Sequence, residues 1–137
     1  MKKQIMDHAV IPWVQYIFFG NKLSLNKHYP SMKMWVDYIK TIDEKYCDGK
    51  RLWKHGFHFA DWLALDNPDK SSSFGGTDPY YVASSYYYYS AKLTAKAAKV
   101  LELESDYEYY TGLSNEIKTA LQLEYFPEGQ LTENTQT

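Results

Sequence analysis

Apolar residues recur every three or four positions in four separate stretches of the chain, which is the spacing of one face of an α-helix. The first stretch begins at Pro12, which suits the first turn of a helix, and Gly20 gives it a stop signal. A further helical turn at 24–29 precedes Pro30, where a second helix is predicted to begin and to run to about Tyr46. Its apolar positions are Trp35, Tyr38, Ile39, Ile42 and Tyr46.

The third and fourth helices have clearer start signals. Asp78 can accept hydrogen bonds from the free amides of a first helical turn, and Pro79 has no amide to lose there. Ser105 and Glu108 have the spacing of a capping box, so the fourth helix is predicted to begin at Ser105 and to end at Pro127. The apolar stripes of these helices are Val82, Tyr86, Tyr89, Leu93, Ala97 and Val100, and then Tyr110, Leu113, Ile117 and Leu121.

These elements predict an all-α fold of consecutive αα-hairpins in a single helical domain, residues 1–137, with at most a token β-hairpin. A compact four-helix bundle is the simpler alternative, but bundles join their helices by short connections. About thirty residues, from Asp48 to Gly76, separate the second helix from the third and follow neither a helical nor a strand period. Loops of this length usually carry function, and the aromatic segment 57–63 is expected to pack back onto the helices.

Aromatic residues make up 18% of the chain, and fourteen of them are tyrosines. Tyr and Trp offer a stackable face and a polar edge, which suits sugar pockets and interfaces, although an aromatic-rich core is the commoner explanation. Tyrosines 86–89 occupy four consecutive positions and point to every side of the third helix. The middle of that helix is therefore expected to be enclosed on more than one face.

Charge and cysteine content exclude several classes of protein. Fifteen basic and seventeen acidic residues give a net charge of −2, so no broad positive field exists to bind nucleic acid or an anionic membrane. The apolar stretch 9–19 is too short to span a bilayer, and no small-residue cleavage site follows it. We expect a soluble chain, with the cytoplasm favoured over secretion. Cys47 has no second thiol with which to form a disulfide or a zinc site.

Two blocks at the end of the long loop carry a family resemblance. The first reads F-H-F-A-D-W-L-A-L-D at 57–66, and the second reads G-G-T-D-P-Y-Y-V-A at 75–83. Together they resemble the loop and helix start of glycoside hydrolase family 78, the α-L-rhamnosidases, in which a G-D-W-L pattern precedes a helix entered through T-D. Further similar blocks lie at 11–13, 29–33, 35–38, 106–110 and 134–137, so the resemblance covers nearly the whole chain.

The resemblance implies an (α/α)6 toroid of six helical hairpins with a sugar bound in its central funnel, and this chain would supply roughly a third of the ring. It also implies inverting hydrolysis of α-L-rhamnosides, in which a glutamic acid protonates the leaving oxygen and a glutamate activates water. The family's acid-bearing segment lies upstream and its base-bearing segment downstream of the region matched here. We therefore expect a fragment of the catalytic domain, cut from a longer chain or truncated, that is inactive alone.

Four residues are candidates for contact with a sugar. By the resemblance, Asp61 accepts hydrogen bonds from hydroxyl groups, Trp62 covers the apolar side of a deoxyhexose, and His58 flanks them. The structural alternatives are a loop cap for Asp61 and a core plug for Trp62. Ala60 stands where the family usually has glycine. Relatives have a tryptophan and an aspartate before the Pro-Trp pair, where this chain has Met6 and Asp7, so Asp7 is the fourth candidate.

No metal, cofactor or catalytic nucleophile is predicted. His55, His58, Asp61 and Asp66 lie near one another, but their spacing along an irregular loop has no ligand signature. Besides a rhamnosidase fragment, two other functions stay open: a carbohydrate-binding remnant, and a helical interaction module. Hairpins without ring neighbours would expose apolar surface, so we expect a homo-oligomer or association with the remaining parts of the domain.

Overall fold

The computed structural model describes residues 8–63, 65, 67 and 69–135. Helix α1 spans Val10–Phe19, α2 Lys22–Tyr46, α3 Pro79–Val100 and α4 Glu104–Tyr125, followed by a 3-10 turn at Pro127–Gly129. Within these ranges the extended backbone pairs only at an isolated antiparallel bridge between Trp62 and Phe74. The all-α prediction is therefore confirmed. Helix α3 is the central element, because it packs against α1, α2 and α4.

Several predicted helix boundaries are confirmed. The Asp78 side chain accepts a hydrogen bond from the Tyr80 amide at 2.8 Å, and Pro79 occupies the first turn of α3. Gly20 closes α1 in the left-handed region at φ 63°, and its amide donates to the Tyr16 carbonyl. Since L-residues rarely adopt this conformation, glycine suits the sharp passage from α1 to α2.

The predicted start of the second helix at Pro30 is wrong, because α2 continues through that residue. The helix begins at Lys22, where the Asn21 side chain accepts from the Ser24 amide at 3.0 Å. An internal proline removes one backbone hydrogen bond and costs about 3 kcal/mol. Burial of the neighbouring Tyr29 and Met32 in the core offsets this cost, since each fully buried side chain contributes roughly 1.5–3 kcal/mol.

The predicted capping box at Ser105 is also wrong. Helix α4 begins at Glu104, Leu103 is the N-cap, and no side chain caps the first turn. Contacts with α2 hold this helix start instead: Asp106 Oδ2 accepts hydrogen bonds from the Tyr29 hydroxyl and the Lys33 ammonium, each at 2.8 Å. The hydrogen bond from Lys33 keeps the pKa of Asp106 below its usual value.

Helix α3 is enclosed on more than one face, as the tyrosine run predicts, but its buried positions differ from the predicted stripe. Tyr87 is fully buried, whereas Tyr89 is exposed. Most of the other buried positions carry small side chains: Ala83, Ser84, Ser90, Ala91, Thr94, Ala95, Ala97 and Ala98. Small residues bring the neighbouring helices close to the α3 backbone, so the helix is buried without long apolar side chains.

Arg51 ties the loop after α2 to two helices, α2 and α4. Its backbone amide and Nη1 donate to the buried Asp43 Oδ2 at 3.1 and 3.3 Å, and its Nε donates to Glu116 Oε2 on α4 at 2.6 Å. Burial raises the pKa of Asp43, while the hydrogen bonds from Arg51 act in the opposite direction. The guanidinium thus compensates a carboxylate that is 0% exposed.

We expect Arg51→Ala to lower the free energy of unfolding by about 3 kcal/mol, because Asp43 stays buried without its cationic partner. Urea denaturation followed by circular dichroism measures the change. Lys50→Ala is the matched control: Lys50 is the preceding residue and pairs with the exposed Asp48, so its loss should cost less than about 0.5 kcal/mol. Equal losses in the two variants would contradict this role for Arg51.

Candidate functional site

The long loop returns to the helices at Trp53, ahead of the aromatic segment 57–63 that the sequence predicts to pack there. Most large side chains of that segment are exposed instead, among them Phe57, Phe59 and Leu63. Trp53 is buried in the core, and its backbone amide donates to Ser84 Oγ on α3 at 2.9 Å. Its indole ring meets the ring of Trp35 edge-on, with centroids 5.9 Å apart. This anchor fixes the loop segment that follows over the N-terminal end of α3.

An aromatic cluster covers the outer part of the loop. Phe57, Phe59, Trp62 and Phe74 pack edge to face, with ring centroids 5.0–5.8 Å apart. Trp62 is 47% exposed, so it is not a plug of the core. Its ring packs against Phe59 and Phe74 and keeps part of its surface open to solvent, and contact with a sugar stays a prediction.

Asp61 is hydrogen-bonded to the entry of α3. Its Oδ2 accepts from the Thr77 amide at 3.3 Å and from Thr77 Oγ1 at 2.7 Å. Asp61 therefore caps the loop at Thr77, which was the structural alternative for this residue. The two bonds use the same oxygen, so capping does not occupy both acceptor atoms of the carboxylate.

Gly75 passes directly against the Asp61 carboxyl group. A Cβ atom at position 75 would overlap the Asp61 Oδ1, Oδ2 and Cγ atoms, whereas a Cβ at Gly76 would make an ordinary 3.6 Å contact with Thr135. Glycine at position 75 thus lets the loop backbone close over Asp61.

The C-terminal tail is bonded to the start of α3 beside the loop. Asp78 donates its backbone amide to Glu133 Oε2 at 2.9 Å, and Thr77 Oγ1 lies 2.6 Å from Thr135 Oγ1. Tyr125, the last residue of α4, donates its hydroxyl to Asp78 Oδ2 at 3.1 Å. Sequence reasoning did not assign these residues to the site, because the tail has no periodic pattern and meets α3 only in the folded chain.

His58 packs between two aromatic rings beneath the cluster. Its ring meets Trp53 edge-on at 4.5 Å and Tyr80 at 6.0 Å between centroids. Nε2 lies 3.1 Å from the His55 carbonyl oxygen, a geometry in which Nε2 carries the proton and donates. Burial lowers the pKa of His58, so the neutral ring is favoured.

An open groove of about 320 Å3 lies at the N-terminal end of α3, beside Asp61 and His58. Its lining is mainly apolar and aromatic, and within the described ranges Asp61 is its one carboxylate. The lining residues are Gly56, Phe57, His58, Phe59, Ala60, Asp61, Phe74, Gly75, Thr77, Pro79 and Tyr80. An apolar groove with a few fixed polar groups is typical of a small-ligand site.

The remaining predictions for the site concern Asp7 and metals. Asp7 lies outside the described residues. Within the described ranges, no three His, Cys, Asp or Glu side chains gather in a way that could hold a metal ion. Among the helices of those same ranges, none has the length and apolar character needed to cross a membrane.

The two successive helical hairpins, α1–α2 and α3–α4, are consistent with the class of six-hairpin glycosidase folds, and comparison with known proteins gives the family. Residues 6–137 match the family model described as the bacterial alpha-L-rhamnosidase 6 hairpin glycosidase domain. The chain belongs to this family, so the resemblance in its sequence is confirmed. Its helices are part of the family's helical toroid.

Two curated relatives show how much of the full-length proteins the chain represents. It is 29% identical over 129 residues to an alpha-L-rhamnosidase of Formosa agariphila, covering 94% of this chain and 13% of the relative. It is 30% identical over 130 residues to one from Streptomyces avermitilis, covering 94% of this chain and 11% of the relative. The chain thus corresponds to a small part of these relatives.

Solved structures have the same arrangement of helices. The Streptomyces avermitilis alpha-L-rhamnosidase, solved in complex with L-rhamnose, superposes with a TM-score of 0.73 at 28% identity, over 94% of this chain and 11% of that chain. The alpha-L-rhamnosidase from Aspergillus terreus gives a TM-score of 0.77 at 26% identity, over 89% and 14% of the respective chains.

We expect Gly75→Ala to displace Asp61 from Thr77, because the added methyl group overlaps the carboxylate. Hydrogen exchange should then be faster at the Thr77 amide, which donates to Asp61. Gly76→Ala is the matched control and should leave this exchange rate within about twofold of the wild type. If Gly75→Ala exchanges as slowly as the control, the close approach of Gly75 does not hold Asp61 in place.

The lowered pKa of His58 predicts a loss of stability in acid. Below the ordinary histidine pKa of about 6.5, the unfolded chain binds a proton more readily than the folded chain does. The melting temperature should therefore fall between about pH 7.5 and about pH 5, and the fall should be smaller in His58→Phe, which keeps an aromatic ring. His28→Gln, on the exposed side of α2, should keep the wild-type slope. If the melting temperature of His58→Phe falls with pH as steeply as that of the wild type, His58 is not the cause of the loss of stability in acid.

Proposed function

We propose that this chain forms part of the wall and rim of an α-L-rhamnosidase catalytic domain, and that its groove at the start of α3 contributes to sugar binding. The observation that carries the proposal is a groove lined by Asp61, with Trp62 packed against two of its other lining residues, Phe59 and Phe74. The groove lies at a helix entrance within the region that matches the rhamnosidase family model. Glycosidase substrates combine hydroxyl groups with an apolar ring face. The Asp61 carboxylate can accept hydrogen bonds from the hydroxyl groups, and the aromatic rings offer a surface to the apolar face.

Each candidate residue has a distinct part in this proposal. Asp61 is oriented by Thr77 and uses its remaining acceptor positions for sugar hydroxyls. The exposed part of the Trp62 ring packs on the apolar face of the sugar. His58 is enclosed by Trp53 and Tyr80, so it supports the floor of the groove more than it contacts a ligand.

Hydrolysis by the chain alone is not part of the proposal. Inverting hydrolysis needs two carboxyl groups on opposite sides of the glycosidic bond, about 6.5–9.5 Å apart, one as acid and one as base. Asp61 is the one carboxylate among the described residues lining the groove, and Thr77 already engages one of its oxygens. With one carboxylate in the groove, the chain alone is expected to bind sugar without hydrolysing the glycosidic bond.

The proposal predicts weak, saturable binding of L-rhamnose without cleavage of an aryl α-L-rhamnoside. Titration of the chain with millimolar L-rhamnose, followed by amide chemical shifts, should give perturbations near 56–80. Asp61→Asn should weaken binding by about tenfold, the scale of a lost hydrogen bond to a charged group.

Asp69→Asn is the matched control, because Asp69 lies in the same loop but caps only its own turn at Ser71. It should bind L-rhamnose with wild-type affinity. Turnover of the aryl rhamnoside by the wild-type chain, abolished in Asp61→Asn, would refute the binding-only role. The absence of any saturable shift would refute the sugar site.

A further inference from the structure

Two residues with left-handed backbone conformation stand on either side of Asp61 and Trp62. Ala60 has a φ of 48° and Leu63 a φ of 63°, a region that residues with a Cβ atom rarely adopt. The other described residues that share this conformation without being glycine all carry charged side chains: Asp48, Arg51, Glu102 and Glu128. Ala60 and Leu63 are therefore the two apolar members of the described set, and both adjoin the candidate sugar residues.

Hydrogen bonds hold the backbone around this pair in place. The Leu63 amide donates to the Ser73 carbonyl at 2.7 Å, and the Asp61 carboxylate accepts from Thr77. A strained residue persists when its surroundings fix the chain in this way. Glycine would adopt the same conformation at position 60 at a lower cost, so the backbone alone gives no reason for the methyl group of alanine.

The methyl group of Ala60 does not serve the core either. Ala60 is half-buried, and neither of the two core clusters of the described residues includes it. Instead it lines the groove at the N-terminal end of α3, next to Asp61 in the sequence. It adds an apolar group to a lining that already contains Phe57, Phe59 and Phe74.

We propose that Ala60 is a further ligand-contact residue of the groove, and that its methyl group packs against apolar carbon atoms of the sugar whose hydroxyl groups donate to Asp61. This inference rests on the proposed sugar site. Strained residues cluster at binding sites, where a local cost in stability improves contact with a ligand. Alanine at position 60 is thus unfavourable for folding and favourable for binding, and the two effects can be measured separately.

The variant Ala60→Gly separates the two effects. Glycine relieves the strain of the left-handed backbone, so the melting temperature should rise by about 2–5 °C. The same variant loses one methyl contact with the sugar. The dissociation constant for L-rhamnose, measured by titration of amide chemical shifts in the full chain, should therefore rise about fourfold.

Glu102→Gly is the matched control. Glu102 also has a left-handed backbone, at φ 61°, but it lies exposed between α3 and α4 and does not line the groove. The exposed ion pair with Lys22 that this variant loses contributes little. Glycine at position 102 should raise the melting temperature by a few degrees and leave the affinity for L-rhamnose within about twofold of the wild type.

The Thr77 amide shows whether Ala60 acts directly or through Asp61. Asp61 accepts from this amide, so hydrogen exchange at Thr77 reports whether the carboxylate stays in place. If the methyl group contacts the sugar, Ala60→Gly weakens binding and leaves this exchange rate within about twofold of the wild type. Faster exchange in Ala60→Gly would mean that alanine only positions Asp61, and would overturn the contact role.

Three further outcomes would overturn the inference, each for a different reason. If the wild type binds L-rhamnose saturably and Ala60→Gly binds it equally well, the sugar site stands but Ala60 is not part of it. If the wild type shows no saturable binding, the proposed sugar site fails and the role of Ala60 fails with it. A lower melting temperature in Ala60→Gly, with Glu102→Gly stabilised, would show that alanine at position 60 serves folding.

Discussion

Enclosure of α3 is the constraint on which the other elements depend. Alanine, serine and threonine at its buried positions let α1, α2 and α4 approach its backbone, and Tyr87 and Leu93 fill the spaces that remain. A helix surrounded in this way cannot rotate or slide without opening several contacts at once. Its N-terminal end is thereby fixed relative to the loop, and that fixed position is what a binding groove requires.

Three segments distant in sequence converge at this helix entrance. The loop contributes Asp61, the start of α3 contributes Thr77 and Asp78, and the tail contributes Glu133 and Thr135. Carboxylates of Asp78 and Glu133 lie where the free backbone amides and the helix dipole favour negative charge. Two of the groups that stabilise the entrance, Asp61 and Thr77, also line the groove.

Membership of the rhamnosidase family places this local arrangement in a larger one. A six-hairpin domain contains more helical hairpins than the two described for this chain, and the curated relatives are several times longer. The uncharged, exposed side of α1 is a surface on which further hairpins of such a ring can pack.

The sequence by itself determined the helical class, the long loop and the entry to α3. Periodic apolar positions and the Asp78-Pro79 signal are local features, and local chemistry is enough to interpret them. The same local rules misplaced the starts of α2 and α4. Asn21 and the burial of Tyr29 and Met32 carry α2 through Pro30, and bonds from α2 to Asp106 replace the predicted cap at Ser105.

Only the tertiary structure decided which side chains meet at the candidate site. The family pattern singled out Asp61, Trp62 and His58, but the hydrogen bond to Thr77 and the aromatic packing of the loop are contacts between distant segments. The tail residue Glu133 shows the reason most clearly: 55 positions separate it from Asp78, and no periodicity links them. Contacts of this kind arise when the whole chain closes around α3, so one-dimensional spacing cannot specify them.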